Sequence, residues 1–490
     1  MVSTTTSPQS GTFWKPLILA ALVLLTIRVA VLLLTPLTLQ GDEAQYWTWS
    51  RDIDFGYYSK PPLIAWAIGF STWLFGDAEW AVRLPSCLFQ IATGIVLALL
   101  GRRLFDDRTG LWAGIVWMTL PAVAFSSLLM STDALLLTFW ALALLQWDRL
   151  LKGGGWSDAL ILAVAFGLGL NAKYAMSYFL LCAALHLVIS RDARHGALSN
   201  GLKPVVGFVL GGAMILPNVW WNAAHGWATV GHTADNANYQ GIVLHFDKFG
   251  EFLGSQFGVF GPILFAAFLL SLPWTRGRIA GLTAERKFLI AFSVPILLLV
   301  CGLSLMSRAN ANWAATAFPA ATLLTVHALM ARTVWIKASV LLHVAVALLL
   351  YGAVLAPDAT VRLLGRDPLK AIPDWTEVAR EVEAAAQAND TSILLLDDRM
   401  ITASLSYALR DRPLTLRAWN HDAKIDHHYE MAWLYRPQND GDRVLLVTPH
   451  GVDAIVNAFD RVTVLPAITL HGRAGRDRTL ELRLLEGAKE

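Results

Sequence analysis

The residues of this chain that could do chemistry are few, and most stand at the ends of long apolar runs. Asp42 and Glu43 follow the first run almost at once. A carboxylate there could take a proton from an acceptor hydroxyl if other groups hold the acceptor in reach. An acidic pair at that point also suits a cap on the next helix, facing water. Lys60 precedes Pro61 and Pro62, which hold the chain extended. A fixed ammonium beside the headgroup layer suits a lipid phosphate, whose departure needs its charge neutralised. The plainer alternative is a lysine that snorkels to the interface. Asp133, within Ser131-Thr132-Asp133, reads as an N-cap or first-turn acid or as a second site carboxylate. Lys173, just after Asn171, reads as an interfacial anchor or a second phosphate contact. His225 and His232 flank Trp227 and are a weak signal for a metal.

These groups must be positioned by membrane spans. Of 490 residues 55% are hydrophobic and only 16% charged, where soluble domains carry about 25% charged residues. Stretches such as Pro16–Thr35 and Ile290–Leu303 have the character of bilayer spans. The expected spans are about eleven, with an upper count of thirteen, near 14–38, 81–101, 110–130, 133–150, 157–172, 174–190, 204–221, 250–272, 288–306, 312–331 and 334–356. Pro61–Phe75 is apolar but short, and is expected to be an interfacial helix. The first run has no small-residue cleavage site after it and is expected to be a retained helix. Trp14, Trp80, Trp156, Trp274 and Trp335 end apolar runs, as interfacial belts require. A net charge of +2 with no dense basic tract argues against nucleic-acid binding. Cys87, Cys182 and Cys301 lie scattered in apolar runs, so neither a disulfide framework nor a zinc site is implied.

Arginine and lysine are concentrated in alternate connections. One set holds Arg102, Arg103 and Arg108; Arg149 and Lys152; Arg191, Arg194 and Lys203; Arg276, Arg278, Arg286 and Lys287; Arg332 and Lys337. The other holds Arg51, Lys60, Lys173, Lys248 and Arg308. The positive-inside rule makes the first set cytoplasmic, with the N-terminus inside. The acids, lysines, histidines and aromatics then collect outside, the aromatics including Tyr46-Trp47-Thr48-Trp49 and Tyr57-Tyr58. Charges at the membrane boundary are costly unless they face a cavity or a partner, so an outer-face cavity is the expected site. Arg28 is the main candidate for a deep charge.

Beyond about residue 357 the composition changes. A helix over Asp374–Gln387 and strands at Ile393–Leu396, Arg443–Val447, Arg461–Leu465 and Leu480–Leu485 predict a small extracytoplasmic α/β domain. Pro357, Pro368 and Pro373 mark the junction. The domains are therefore 1–356, with a catalytic first external loop at 39–80, and 357–490. The pairs Gly110/Gly114 and Gly207/Gly211 and the series Gly250/Gly254/Gly258 have the spacing of close helix packing.

At these residues the sequence resembles the polytopic GT-C glycosyltransferases, in the bacterial group that includes the lipid A aminoarabinose transferases and is related to the protein O-mannosyltransferases. The likeness rests on Asp42-Glu43, Gly56-Tyr57-Tyr58-Ser59-Lys60-Pro61-Pro62-Leu63, Val82-Arg83-Leu84-Pro85, Gly101-Arg102-Arg103-Leu104-Phe105, Ser131-Thr132-Asp133, Leu170-Asn171-Ala172-Lys173-Tyr174 and Asn310-Ala311-Asn312-Trp313, in that order. It is good from about 40 to 190, thinner to about 330 and weak in the C-terminal domain. The resemblance implies an α-helical GT-C bundle, an undecaprenyl-phosphate sugar donor, inverting transfer to a lipid or glycan acceptor, and a cavity open to the periplasm of a bacterial inner membrane. It makes Asp42 the base or acceptor-orienting acid, Lys60 the donor-phosphate ligand and Asp133 a second acid, with Lys173 beside the phosphate and Glu43, Tyr57, Tyr58 and Arg83 in support. The aminoarabinose transferases place a glutamate directly before the lysine as part of a metal site. Here Ser59 stands in that place, which leaves a divalent metal open. No glycine-rich loop followed by Lys-Ser/Thr occurs, which argues against ATP use. The competing class is a lipid or sugar transporter, whose discontinuous helices, inverted repeats and midplane charges are set against unusual charges that cluster at the outer boundary and a sequence with no visible repeat.

Overall fold

A computed structural model describes residues 11–236, 244–273, 281–365, 375–422, 424–441, 443–449, 453–470 and 477–489. Trp274, Arg276, Arg278, Pro368, Pro373 and Asp374, which entered the readings of interface, sidedness and domain junction, lie outside the described residues.

Each of the eleven apolar segments is helical. Gly11–Leu34, Glu79–Leu104, Thr132–Leu151, Trp156–Ala172 and Thr333–Leu355 are single helices. Tyr174–Ile189 begins as a 3₁₀ turn, Tyr174–Ser177, and continues as the α-helix Tyr178–Ile189. The other five are cut in two, and every second piece carries proline at its first or second position: Pro121, Pro217, Pro262, Pro295 and Pro319. Proline has no N–H for the ladder and clashes with the preceding turn, so the helix stops just before it and restarts on it. The cut at Pro262 bends the chain by 111° between Phe246–Val259 and Pro262–Ser271.

By length and composition, six described helices can cross a membrane, or up to eight if each sharply bent pair is one span. This is fewer than the eleven expected. A crossing needs about 20 residues; Trp156–Ala172 has 17 and the piece Asp107–Thr119 has 13. Ala311–Leu355 forms one apolar run of 45 residues where two spans were expected. Leu63–Phe75 is a short apolar helix, as its sequence predicts.

The chain divides into two compact units, Met1–Leu33, Pro61–Ile64 and Arg83–Leu350 in the first and Leu34–Lys60, Ala65–Val82 and Tyr351–Glu490 in the second. The first is helical and apolar inside. Phe13, Leu17 and Ala21 of the first helix pack on Ile91, Ala98 and Met118. Arg28 is buried there, and its guanidinium donates to the Met118 carbonyl. Cys87 and Cys182 are buried and Cys301 half-buried, all as free thiols. The glycine pairs do allow close approach. A Cβ at Gly110 would strike the backbone of Ala98 and Arg102, and one at Gly211 would lie 2.6 Å from the Ala163 carbonyl. The series Gly250/Gly254/Gly258 does not, since nothing described lies within 4 Å of a Cβ built there. Spacing alone identifies a stripe but not which neighbour it faces.

The second unit holds a five-stranded mixed sheet in the order β2-β1-β3-β5-β4. The strands are β1 Ile393–Leu396, β2 Thr415–Ala418, β3 Arg443–Thr448, β4 Phe459–Leu470 and β5 Arg478–Ala488. β1 is parallel to β2 and β3, while β5 is antiparallel to β3 and β4. Alternation divides the apolar residues between two faces. Leu394, Leu396, Leu445 and Val447 pack with Val378 and Val382 of the helix Trp375–Ala388 and with Leu405 of the helix Arg399–Ala408. Leu395, Val444 and Leu446 pack on Tyr435 and Phe459. Only β2 was not expected; its four residues Thr-Leu-Arg-Ala show no clear alternation.

Candidate active site

The predicted site residues fall into two clusters, one in each unit. In the second unit the helix Gly41–Trp49 is opened by Glu43, whose carboxylate accepts the Gln40 N–H at 3.0 Å. Glu43 is buried and performs the capping that the acidic pair suggested. Asp42 is thereby left for other work. Its side chain is 58% exposed, and Oδ1 accepts a hydrogen bond of 2.9 Å from Arg399 Nη1. The same nitrogen donates to Gln45 Oε1 at 3.0 Å. Asp42 and Gln45 are three apart and share a helix face.

Arg399 opens a helix over Arg399–Ala408, capped by Asp398, whose carboxylate accepts the N–H groups of Met400 and Ile401 at 2.8 Å. This helix lies along Gly41–Trp49. A Cβ at Gly41 would come within 2.9 Å of Met400 Sδ, Thr48 Oγ1 is 2.9 Å from Ser406 Oγ, and Trp47 meets Tyr407 edge-on at 5.1 Å.

The segment leading to Lys60 is tied down by its tyrosines. The Tyr57 ring stacks on Trp49 at 4.8 Å. Its hydroxyl lies 2.9 Å from the carbonyls of Trp49 and Asp52 and accepts the Asp54 N–H. Burial pushes the Tyr57 phenol above its usual range, so the group is neutral and structural. The Tyr57 N–H donates to the Lys60 carbonyl at 3.2 Å, which fixes the backbone of the half-buried lysine. The Tyr58 hydroxyl donates to the Ile425 carbonyl at 3.1 Å. Behind Trp49 stands His428, held down to about 4 by burial and, less, by His427.

In the first unit three sequence-distant motifs converge. Asp133, in the first turn of Thr132–Leu151, accepts from Lys173 Nζ at 2.7 Å through Oδ1 and from Asn312 Nδ2 at 2.6 Å through Oδ2. Lys173 leaves the C-terminus of Trp156–Ala172 in extended conformation, and Asn312 lies in a short 3₁₀ helix. Asn171 braces the turn by donating to the carbonyls of Gly167 and Met214. Tyr174 donates to Asn218 at 2.7 Å, and Asn222 accepts the Thr229 N–H. Asp133 is thus a first-turn acid whose Ser131 cap makes no side-chain bond, and both its oxygens are committed to other motifs.

Arg83 is buried within Glu79–Leu104. His225 stacks on Trp221 at 4.1 Å, with Nδ1 2.8 Å from the Trp221 carbonyl, a local arrangement without ligand geometry. Among the described residues no group of three or more His, Cys, Asp or Glu side chains could hold a metal ion. With Ser59 before Lys60, the residues present do not fit the metal site of the aminoarabinose transferases, and no step is routed through a metal. Sequence reasoning missed Arg399 and gave Asn312 no role. Asp398 signals a helix start, but nothing local says which side chain the next residue will meet.

The chain is similar to known proteins. A family model described as dolichyl-phosphate-mannose-protein mannosyltransferase matches residues 59–221. The lipid A galacturonosyltransferase RgtD of Rhizobium johnstonii is 34% identical over 448 residues, covering 90% of this chain and 91% of that one. An undecaprenyl phosphate-alpha-4-amino-4-deoxy-L-arabinose arabinosyl transferase of Erwinia tasmaniensis is 30% identical over 176 residues, 31% of each chain. The crystal structures of ArnT from Cupriavidus metallidurans, apo and bound to undecaprenyl phosphate, share the fold with TM-scores of 0.61 and 0.60 at 15% and 16% identity, over 97% of this chain and 98% of that one. Likeness sustained along nearly the whole of RgtD goes beyond a shared fold, and this chain belongs to the GT-C glycosyltransferases as a multi-pass membrane enzyme.

Proposed function

We propose that the enzyme moves a sugar from a polyprenyl-phosphate carrier to lipid A or a related envelope acceptor, with inversion, on the periplasmic face of a bacterial inner membrane. The observation that carries this reading is the 34% identity with a lipid A galacturonosyltransferase over nine-tenths of both chains. The aminoarabinose transferases match over less than half of the chain, which favours galacturonic acid as the sugar. The arginine-rich alternate connections support the orientation, and with it a site in the loop 39–80 and an external domain at 357–490.

In this mechanism the acceptor hydroxyl oxygen attacks the anomeric carbon as the bond from that carbon to the phosphate oxygen breaks. The hydroxyl proton passes to Asp42, and the carrier leaves as polyprenyl phosphate. Asp42 suits this role because Oδ2 has no protein hydrogen bond among the described residues while Oδ1 is held. Lys60, on a backbone fixed by Tyr57, neutralises the leaving phosphate. Lys173, paired with Asp133, is a further candidate cation for the donor phosphate; Glu43, Tyr57, Tyr58 and Arg83 hold the scaffold.

The test is transfer from undecaprenyl-phosphate-linked galacturonic acid to purified lipid A by membranes containing the chain, read by mass spectrometry. A gain of one uronic-acid residue, absent with Asp42→Asn and with Lys60→Ala at matched expression, is expected. Unchanged lipid A with wild-type membranes overturns the acceptor assignment, and full transfer by both variants overturns the site.

A further inference from the structure

Arg399 lies far along the chain from every motif that carries the family likeness, yet its guanidinium meets the carboxylate proposed as the base. We infer that Arg399 is a positioning residue for the transfer reaction, fixing one oxygen of Asp42 so that the other is presented to the acceptor hydroxyl. This rests on the reading of Asp42 as the base.

Three features carry the inference. First, one nitrogen, Nη1, lies 2.9 Å from Asp42 Oδ1 and 3.0 Å from Gln45 Oε1, clamping two residues one helical turn apart. Gln45 is itself buried, so the clamp has a fixed point rather than two mobile ends. Second, arginine is a poor choice where it stands. As the first residue of its helix it puts a positive charge at the positive end of the dipole. The helix gains nothing from it; the acid opposite explains its presence. Third, the helix bearing Arg399 is seated independently of the ion pair, by its Asp398 cap, by Met400 against Gly41 and by Ser406 against Thr48. Removing the guanidinium therefore leaves the two helices in place and frees only the carboxylate. An acid free to rotate spends much of its time out of line, and misplacement by about 1 Å can cost on the order of 10²-fold in rate.

The same geometry gives the C-terminal sheet a part in the reaction. Arg399 stands three residues after the end of β1, so the sheet sets the position of the guanidinium that orients the base.

The experiment compares Arg399→Ala, Arg399→Gln and Arg399→Lys, with Asp42→Asn and the double variant Asp42→Asn/Arg399→Ala, in the purified full chain. Donor and acceptor are undecaprenyl-phosphate-linked galacturonic acid and lipid A. Arg399→Ala and Arg399→Gln are expected to lower kcat about 10- to 100-fold with KM within about threefold. Arg399→Lys is expected to recover part of it, since one ammonium can meet Asp42 without clamping Gln45. In the Asp42→Asn background, loss of Arg399 is expected to cost nothing more, because residues acting as a unit are not additive. Thermal unfolding of each variant identifies any that fails to fold, and Arg399→Gln, with its helix-compatible side chain, then decides. Wild-type kcat in Arg399→Gln, or a full multiplicative loss in the double variant, overturns the inference. Wild-type kcat in Asp42→Asn instead overturns the base assignment beneath it.

Discussion

The two polar clusters join acid to cation by opposite strategies. In the first unit Asp133 and Lys173 are 13% and 25% exposed, and the acid spends both oxygens on protein partners. In the second unit Asp42 and Arg399 are 58% and 38% exposed, and the acid keeps one oxygen open. A shielded pair interacts through low-dielectric surroundings and has little freedom to exchange partners. An exposed pair contributes little to stability, about 0–1 kcal/mol. The shielded cluster holds both carboxylate oxygens on protein partners, and the exposed one leaves a carboxylate oxygen open, as the proposed base requires.

The sharpest way to break this contrast is Asp42→Asn, which keeps shape and removes the carboxylate proposed as the base. Transfer is expected to fall about 10²- to 10⁴-fold, with melting temperature nearly unchanged; a large drop in melting temperature would make Asp42 structural. Next is Lys173→Met, which strands the Asp133 carboxylate. It is expected to cost both activity and about 1–3 kcal/mol of stability, while Lys173→Met/Asp133→Asn regains the stability without the activity. If Lys173→Met leaves the melting temperature alone, the shielded pair is no more structural than the exposed one.

A third variant pair tests packing. Gly110→Ala forces a Cβ onto the Ala98 and Arg102 backbone and is expected to destabilise by about 1–3 kcal/mol. Gly254→Ala meets nothing described and is expected to be neutral or slightly stabilising, since alanine is the better helix former. Thermal unfolding in detergent separates them. A further effect is expected from pH. Burial, with a smaller contribution from His427, lowers His428 to about 4 from the ordinary 6.5. A folded value below the unfolded one favours the neutral ring in the folded state. Its contribution is complete above about pH 6.5 and is lost as pH falls toward 4. Thermal unfolding from pH 7 to 4 should show this loss in the wild type and a shallower one in His428→Phe.

Much of the candidate site was legible locally. Asp42, Lys60, Asp133 and Lys173 stood out because ionisable groups at the ends of apolar runs are conspicuous, and their order carried the family likeness. The capping reading of the acidic pair belongs to Glu43 alone, since only the third helical residue can reach back to the Gln40 N–H.

What the sequence alone determined was everything of short range: eleven apolar helical segments, the prolines that cut five of them, four of five strands, and the types of the chemical residues. These follow from period, span length and backbone chemistry acting within a few residues. What only the tertiary structure decided was partnership: that Asp133 takes Lys173 and Asn312, and that Asp42 takes Arg399, 357 positions away. Side-chain geometry is set by which helix faces which, and that depends on the packing of the whole unit.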